Sequence, residues 1–587
     1  MSHNVFKNTV IDEFNFLKKL NSNVLSSEIK LLSGGFLLPI TYQCLEDNDL
    51  INNLLSWREQ NEFAYPSRGK TNFNKTKLWL EKNVLDNPTK ILFKIYNKNF
   101  KMIGHIGLFI NDDFGSKIEI DNVLRGIKNS DKGIISESLK AIIKWAQSVF
   151  LPEGFLLRVL KSNPHAIQFY KNNNFDSFDE YSLYRIENDF GYNLVKFEER
   201  FKNNKIADHF LLMEPNKEKV GDKLILTAGP SIGSRERIYA ADAALNGWNS
   251  KWSHYLNKFE NKFAEYIGVK YAIATSSCTG ALHISLLALG IKEGDEVIVP
   301  DITWVSTANS VLLVGATPVF ADVNEKTWTI DPLSIENKIT KKTKAIIPVH
   351  LYGHPCEMDE ILEISKKYNL KVIEDAAPSI GAEYKGQRTG SFGDFAAFSF
   401  QGAKLLVTGE GGMLCTNNEE LYKKAYKIWD QGRIPGSFWI EELGVKYKMS
   451  NIQAALGFGQ LYRNDLMVMA KRRINSWYFE RLKGLRQIDF WQEGSDVKSI
   501  CWMTSIRLNE NSKLDRVAFC NKLKEFNIDS RPVFPTISQY PYWPKKQDKQ
   551  KQSTLIADTG INLPSGVCLL KEEVDYICDK IILILNE

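Results

Sequence analysis

A lysine stands just ahead of a glycine-rich turn in Ser399-Phe-Gln-Gly-Ala-Lys404, which runs on to Thr408-Gly-Glu-Gly-Gly412. Backbone without Cβ atoms can approach a planar cofactor closely and hold such a lysine against it. Asp375 closes the apolar run of VIEDAA. A carboxylate at the end of a buried strand needs a cationic partner; a pyridinium nitrogen would supply one, and the charge pair would keep the ring an electron sink. Ser277-Cys278-Thr279-Gly280 lies between the strand-like run YAIAT and a helical pattern from Ala281. Its amides would therefore point from a helix N-terminus, a ready phosphate cradle. Trp304, in PDITW, follows another strand end, where a ring-stacking face and a place in the core are equally open readings.

The elements that must position these residues are short β-branched runs alternating with longer helical patterns from Gly268 onward: YAIAT, ALHISLLALG, EVIVP, TANSVLLVG, PVFADV, KAIIPVH, MDEILEISKKY and KVIED among them. This alternation predicts repeated βαβ units and a mostly parallel sheet covered on both faces. The strand runs lack strict alternation, as doubly buried strands do. Ligands of such sheets bind outside the carboxyl ends of the strands, which is where Asp375, Trp304 and the SCTG turn fall. After about Arg472 a long helix ending near Lys483 leads into mixed short strands and helices, a smaller α/β domain.

Taken together, these motifs resemble the DegT-type (DegT/StrS) sugar aminotransferases, with the fold-type I architecture of a large α/β domain and a small C-terminal one. The similarity runs from about Ala228 through Lys571 and includes VHLYGHP (349–355), VIEDAA, GSFGDFAAFSF (390–400), TGEGGM and KYKMSNIQAALG (446–457). It implies pyridoxal phosphate as cofactor, with Lys404 linked to its aldehyde, Asp375 at the pyridine nitrogen, Trp304 on the ring face, and Thr279 with Ser399 at the phosphate beside Cys278. Glutamate would displace Lys404, the freed lysine would move the proton between the two carbons, and the aminated cofactor would pass its nitrogen to a keto nucleotide sugar. Relatives that dehydrate carry histidine at the position of Lys404, so lysine favours transamination. The resemblance also implies a homodimer in which Lys446 reaches the neighbouring subunit's cofactor phosphate. Many members have asparagine there, and His, Gln or Glu where this chain has Pro378. Arg531 in SRPVFP reads either as a contact for substrate phosphate or as a surface residue; His350 and His354 read as near the site or as structural.

Residues 1 to about 200 have another rhythm. ILFKIYN, MIGHIGLFI and KIEIDNVL predict an antiparallel meander, followed by a helix (134–149), the strand FLLRVL, a helix (164–172) and the strand YSLYRI. A helix beginning after Asn129-Ser-Asp-Lys-Gly133 can offer amides to a pyrophosphate. With LRVLKSNPHAIQFYKNNNF (157–175) and LLSWRE (54–59), the pieces resemble the GNAT superfamily of acetyl-CoA-dependent N-acetyltransferases, LLSWRE being similar to members acting on amino sugars. The resemblance covers roughly Leu38 to Asn188. It implies Lys132 and Gly133 at the acetyl-CoA pyrophosphate, Asn163 against the cofactor and Tyr170 as proton donor to the departing thiolate, with Glu119 or Asp121 taking the amine proton. The pyrophosphate loop is poorer in glycine than the family's, with Ser130 and Ile135 at two motif positions.

The expected organisation is therefore an α+β acetyltransferase-like domain (1–200), a polar linker (201–222), a large cofactor-binding domain (223–470) and a small domain (471–587). At 587 residues, with 75 basic and 70 acidic side chains and a net charge of +5, the chain shows no basic stripe for nucleic acid or membrane. Eight cysteines without CxxC or zinc-like spacing predict reduced thiols and no metal. The N-terminus is not a secretory signal and no stretch is long enough to span a membrane, so a cytoplasmic enzyme is expected. An aminotransferase makes a primary amine and an acetyltransferase consumes one, which predicts successive steps toward an acetamido sugar nucleotide for cell-surface polysaccharide. The competing readings are an aminotransferase with a degenerate first domain, dehydration or transamination of a free amino acid, and a non-enzymatic scaffold.

Overall fold

The structure, a computed structural model, describes residues 2–21, 27–127, 131–188, 191–196, 205–216, 220–543 and 548–586. The chain divides into two compact units, one of residues 1–218 with 233–238, the other of 219–232 with 239–587.

The first unit is built on a ten-stranded sheet, ordered Ile29–Lys30, Phe36–Pro39, Lys90–Tyr96, Met102–Phe109, Lys117–Arg125, Gly154–Leu160, Ile206–Pro215, Phe175–Asn188, Gly191–Lys196 and Ser67–Gly69. The three runs read as a meander pair antiparallel, as expected. The parallel ladder between Lys117–Arg125 and Gly154–Leu160 extends only from Lys117 to Ile120, although both strands continue beyond it. At that point the pairing with Met102–Phe109 also slips, and Asn122 takes a left-handed φ of 50°. Such a bulge re-aims neighbouring side chains. The helix Ile134–Phe150 buries Ile134, Leu139, Ile142, Ala146 and Val149 along one stripe. The helix Ser2–Lys18, unread in the sequence, does the same with Phe6, Val10, Phe14 and Leu17.

The expected linker needs correcting. Within 201–222, the strand Ile206–Pro215 is hydrogen-bonded on both sides, to Gly154–Leu160 and Phe175–Asn188. Only Leu212 and Met213 of it are buried, so its polar composition mimicked a loop.

The second unit carries the expected doubly covered sheet of seven strands, ordered Tyr271–Thr275, Gly412–Thr416, Phe395–Ser399, Lys371–Asp375, Thr343–Ile346, Glu296–Pro300 and Thr317–Ala321. Gly412–Thr416 runs antiparallel to both neighbours; the other pairings are parallel. A four-stranded antiparallel sheet (Ile488–Phe490, Thr504–Leu508, Gly560–Leu563, Arg531–Pro532) shares a second core with the helices Asn464–Leu482 and Lys571–Asn586, through Ile474, Tyr478, Ile506, Ile577 and Ile581. The boundary expected between 470 and 471 falls inside Asn464–Leu482. Among the described residues no helix is long and apolar enough to cross a membrane.

Candidate active site

Strand register gathers the predicted residues of the second unit on one edge of the seven-stranded sheet. Ser399, the last residue of its strand, lies opposite Gly412, the first of the antiparallel strand. On its other side Gly412 pairs with Thr275, whose chain continues at once into the helix Cys278–Ala288. Asp375, at the carboxyl end of the next strand, pairs with Ala397, two residues before Ser399.

The helix Cys278–Ala288 begins at Ser277, whose hydroxyl accepts from the Gly280 amide at 3.1 Å. First-turn amides have no partner within their own helix, so those of Cys278 and Thr279 point beyond its start with the positive end of the helix dipole. Gly412 lies flush against this terminus: a Cβ there would stand 2.6 Å from the Cys278 nitrogen and 2.7 Å from the Ser277 carbonyl oxygen. Backbone amides, the Ser399 hydroxyl and a residue with no side chain thus make a shallow cradle for an anion.

Asp375 is 5% exposed. Its Oδ2 accepts from the Thr307 hydroxyl at 2.7 Å and its Oδ1 from the Ala377 amide at 3.2 Å. Burial raises its pKa, while Thr307, Ala377 and the Lys404 charge pull it back. No ion pair to Asp375 is formed among the described residues, leaving a buried carboxylate stabilised by two donors and in need of a cation.

Lys404 sits in the loop expected for it, a tight structure in which its amide donates to the Gln401 carbonyl at 2.8 Å and Gly402 donates to Gly409 at 3.0 Å. Gln460 braces the loop from the helix Asn451–Leu461: its Oε1 accepts from the Val407 amide at 2.8 Å and its Nε2 donates to the Val407 carbonyl at 3.3 Å. The Lys404 ammonium lies 3.9 Å from the centre of the Trp502 ring, and Trp502 Nε1 donates to the Ala403 carbonyl at 2.9 Å. Burial lowers the pKa of Lys404 to about 8, with Asp375 and Cys278 pulling the other way. Such a lowering leaves more of the amine neutral near pH 7 to 8, the form able to act as nucleophile or proton acceptor.

Trp304 is 62% exposed, its ring tilted 5.9 Å from Phe534, so the core reading fails and its face is open. His350 is structural: its Nδ1 accepts from the Cys356 amide, so its Nε2 donates to Glu374 at 3.0 Å. Glu374 in turn takes the amides of Gly390, Phe392 and Gly393, pinning the GSFG segment. His354 lies between the carbonyls of Pro355 and Gln492 and is also structural. Arg531 is exposed, 3.5 Å from Asp529. Lys446 is exposed and bridged through its backbone to Asp430, and among the described residues no hydrogen bond or ion pair joins it to Lys404. Thr307, Gln460 and Trp502 were missed in the sequence, because none stands in a motif with Lys404 or Asp375 and only the fold brings them there.

In the first unit, Lys132 and Gly133 are exposed where the helix Ile134–Phe150 begins, Gly133 at a φ of 90°; Ser130 lies outside the described residues. Asn163 caps the helix Pro164–Asn172, its Oδ1 accepting from Ala166 at 3.1 Å. Tyr170 is buried between Phe169 and Phe175, which pushes its phenol well above the usual range. The two candidate bases have different surroundings. Glu119 is 3% exposed; its Oε1 accepts from Arg158 at 2.7 Å, its Oε2 has no hydrogen-bond partner among the described residues, and burial lifts its pKa to about 7. Asp121 is about a quarter exposed, pairs with Lys90 at 2.7 Å, and its charge is felt by Tyr65, His105 and Tyr170.

A buried lysine with a lowered pKa, a buried carboxylate lacking its cation and an anion cradle, on one edge of a mostly parallel sheet, are the makings of a site for a cationic aromatic ring that carries a phosphate. Residues 230–582 match the model of the DegT/DnrJ/EryC1/StrS aminotransferase family, and the chain belongs to that family. It is 42% identical over 360 residues to the GDP-perosamine synthase of Escherichia coli O157:H7, covering 61% of this chain and 98% of that one. It is 41% identical over 356 residues to the GDP-perosamine synthase of Caulobacter vibrioides, covering 60% and 96%. Among solved structures, an aminotransferase from Psychrobacter cryohalolentis superposes with a TM-score of 0.57 at 28% identity, covering 60% of this chain and 97% of that one. Pyridoxal phosphate is the cofactor this membership implies, and the residues present fit it: the cradle its phosphate, Asp375 its ring nitrogen, Lys404 its aldehyde.

Proposed function

We propose that the second unit transfers the amino group of glutamate to the keto carbon of a nucleotide-linked 4-keto-6-deoxy or related keto sugar. We propose further that the first unit acetylates the new amine from acetyl-CoA, in the cytoplasm and for cell-surface polysaccharide. The observation that carries the first step is Lys404 and Asp375 on the sheet edge that also holds the phosphate cradle, in a chain similar to two GDP-perosamine synthases.

When bound, pyridoxal phosphate supplies an aldehyde carbon for the amine and a protonated ring that takes up the electron pair left as the α-proton departs. Asp375 would keep that ring nitrogen protonated, and Thr307 and Ala377 hold the carboxyl in position and favour its charged form against burial. The Cys278 and Thr279 amides with the Ser399 hydroxyl hold the phosphate, and Trp304 covers one ring face. Lys404, once displaced, is the neutral amine that accepts the substrate proton at Nζ and returns it to the neighbouring carbon. The Gln460-braced loop fixes the backbone that carries that nitrogen.

For the acetyl-transfer step, Lys132 and Gly133 stand at the helix start suited to a pyrophosphate, with Asn163 beside the cofactor. The parallel ladder ends at Ile120 while both strands run on, which supports placing an acyl chain there. Each candidate base is paired with a cation, Asp121 with Lys90 and Glu119 with Arg158, and Asp121 suits the role better because it is about a quarter exposed where Glu119 is buried; Tyr170, kept protonated by burial, is the proton donor. A homodimer is part of the proposal, supported by the loop before Lys446, where Phe438, Trp439 and Leu443 are 96%, 70% and 95% exposed.

The test is the mass of the product. The protein is incubated with pyridoxal phosphate and glutamate, with GDP-, UDP- and dTDP-linked 4-keto-6-deoxy sugars in turn, with and without acetyl-CoA, and with Lys404→Ala as control. Amination followed by an acetyl-CoA-dependent acetyl adduct is expected. Free amino sugar as the only product would overturn the coupling, and no amination of any sugar would overturn the first step.

A further inference from the structure

A cleft of about 300 Å³ opens in the first unit, between the helices Asn48–Gln60 and Phe73–Trp79 and the short strand Ser67–Gly69. Arg58, Arg68, Lys70 and Lys75 line it, with Tyr65 and Trp79, and no carboxylate is among the lining residues. Four like charges around one concavity repel one another and concentrate their field inside it.

The two arginines are held in place rather than free to fold away. Arg58 donates from Nη2 to the Ser67 carbonyl at 3.0 Å, and its guanidinium stands 4.6 Å from the centre of the Tyr65 ring. Arg68 donates from Nη2 to the Phe63 carbonyl at 3.2 Å and lies 5.8 Å from the Tyr192 ring, while its buried Nε has no hydrogen-bond partner among the described residues. Neither arginine, nor Lys70, forms an ion pair among the described residues. Guanidinium groups fixed by one donor each, with no further hydrogen bond among the described residues, are suited to bidentate contact with phosphate oxygens. Tyr65 and Trp79 add apolar faces on which a nucleobase can stack. His105 also lines the cleft, and it lies on the strand across the bulge from Asp121.

We propose that this cleft binds the diphosphate of a nucleoside-diphosphate amino sugar, with Arg58, Arg68 and Lys70 holding the phosphates so that the sugar amine is directed toward Asp121. The identity of the amine rests on the acetyl-transfer reading above; the anion site does not.

The experiment uses the full-length chain with pyridoxal phosphate bound. GDP, UDP and dTDP are each titrated by equilibrium dialysis into the wild type, an Arg58→Ala/Arg68→Ala double variant and Lys70→Glu. For at least one nucleotide, the wild type is expected to bind two equivalents per chain and the double variant one. Lys70→Glu is expected to weaken one site by about tenfold, equivalent to about 1.4 kcal/mol, and to leave the other unchanged. Lys70 is exposed, so this variant decides the matter even if the double variant misfolds. An unchanged number and strength of sites in every variant would overturn the assignment. Acetyl transfer is measured alongside. A lost nucleotide site in a chain whose wild type acetylates nothing would keep the cleft and sink the acetyl-transfer reading. Wild-type KM for the amino sugar in the variants, with acetylation intact, would do the reverse.

Discussion

The lowered pKa of Lys404 has a measurable consequence in the rate at which the cofactor-free protein takes up pyridoxal phosphate. Only the neutral amine attacks an aldehyde, and burial brings the Lys404 pKa to about 8 from an ordinary lysine value of 10.5. At pH 7 a group of pKa 8 is about 9% neutral and one of 10.5 about 0.03%, so covalent capture should be about 300-fold faster than by an unperturbed lysine of the same nucleophilicity. The assay is stopped-flow absorbance of the cofactor band after mixing with cofactor-free protein, from about pH 6 to pH 10. The rate should rise tenfold per unit and level off near pH 8. Asp375 contributes to Lys404 with the opposite sign to burial, since its charge raises that pKa. In Asp375→Asn the plateau should therefore begin at lower pH than in the wild type. A rate still climbing tenfold per unit through pH 10 would refute the burial argument, and a plateau moved upward in Asp375→Asn would refute the assigned sign of the coupling.

In Gly412→Ala the new methyl would meet the Cys278 amide nitrogen at 2.6 Å; overpacking of this kind costs about 1–3 kcal/mol, and dialysis should show cofactor retention roughly 5- to 150-fold weaker. Thr307→Val removes the 2.7 Å donor to Asp375, a hydrogen bond to a charged group worth about 1.5–3 kcal/mol. It lifts the carboxyl pKa further, so the acid limb of the kcat profile should move to higher pH while the basic limb stays; unmoved limbs would count against Asp375 acting as a carboxylate. Asp121→Asn should abolish acetyl transfer and leave transamination unaltered, whereas Glu119→Ala should chiefly lower the Tm by stranding Arg158. Lys404→Ala and Lys446→Ala, each inactive alone, should regain part of the aminotransferase activity when co-expressed if Lys446 serves the neighbouring subunit's site; no recovery would place it elsewhere.

Much of the second unit was legible because its chemistry and its topology share one signal. A strand that ends in Asp, a strand that ends before SCTG and a strand that ends before Lys404 read as functional only if the sheet is parallel, and the same β-branched runs predicted that. What supports them was not legible. Thr307 lies 68 residues from the carboxylate it holds, and Gln460 lies 53 from Val407. Both are ordinary residues on helices, where one polar side chain in an apolar stripe carries no mark of its target. For the motif histidines the sequence left a site role and a structural role both open. His350 and His354 stand out in VHLYGHP, yet their ring nitrogens are spent on Glu374, Cys356 and backbone carbonyls, holding loops rather than meeting a ligand.

The first unit shows why resemblance alone locates a site incompletely. The meander strands and the helices Ile134–Phe150 and Pro164–Asn172 were read with nearly correct bounds, because apolar periodicity sets them, while YSLYRI is only the middle of the longer strand Phe175–Asn188. The strand Ile206–Pro215 was lost because only two of its residues are buried, and a sheet interior can be built from a strand whose hydrogen bonds, rather than side chains, fix its place. The 61–79 segment carries none of the motifs read in the sequence, yet it forms the strand Ser67–Gly69 and the helix Phe73–Trp79. Its function lies in which faces meet: Leu54 and Arg58, one helical turn apart on Asn48–Gln60, both line the cleft that Ser67, Arg68 and Lys70 close, while Trp57 turns the other way into the core, so close to Gly126 that a Cβ there would stand 2.0 Å from its ring. One helix thus anchors itself by Trp57 and presents Arg58. For that reason Arg58 should tolerate substitution without loss of fold, which lets the double variant be read beside Lys70→Glu in the nucleotide test.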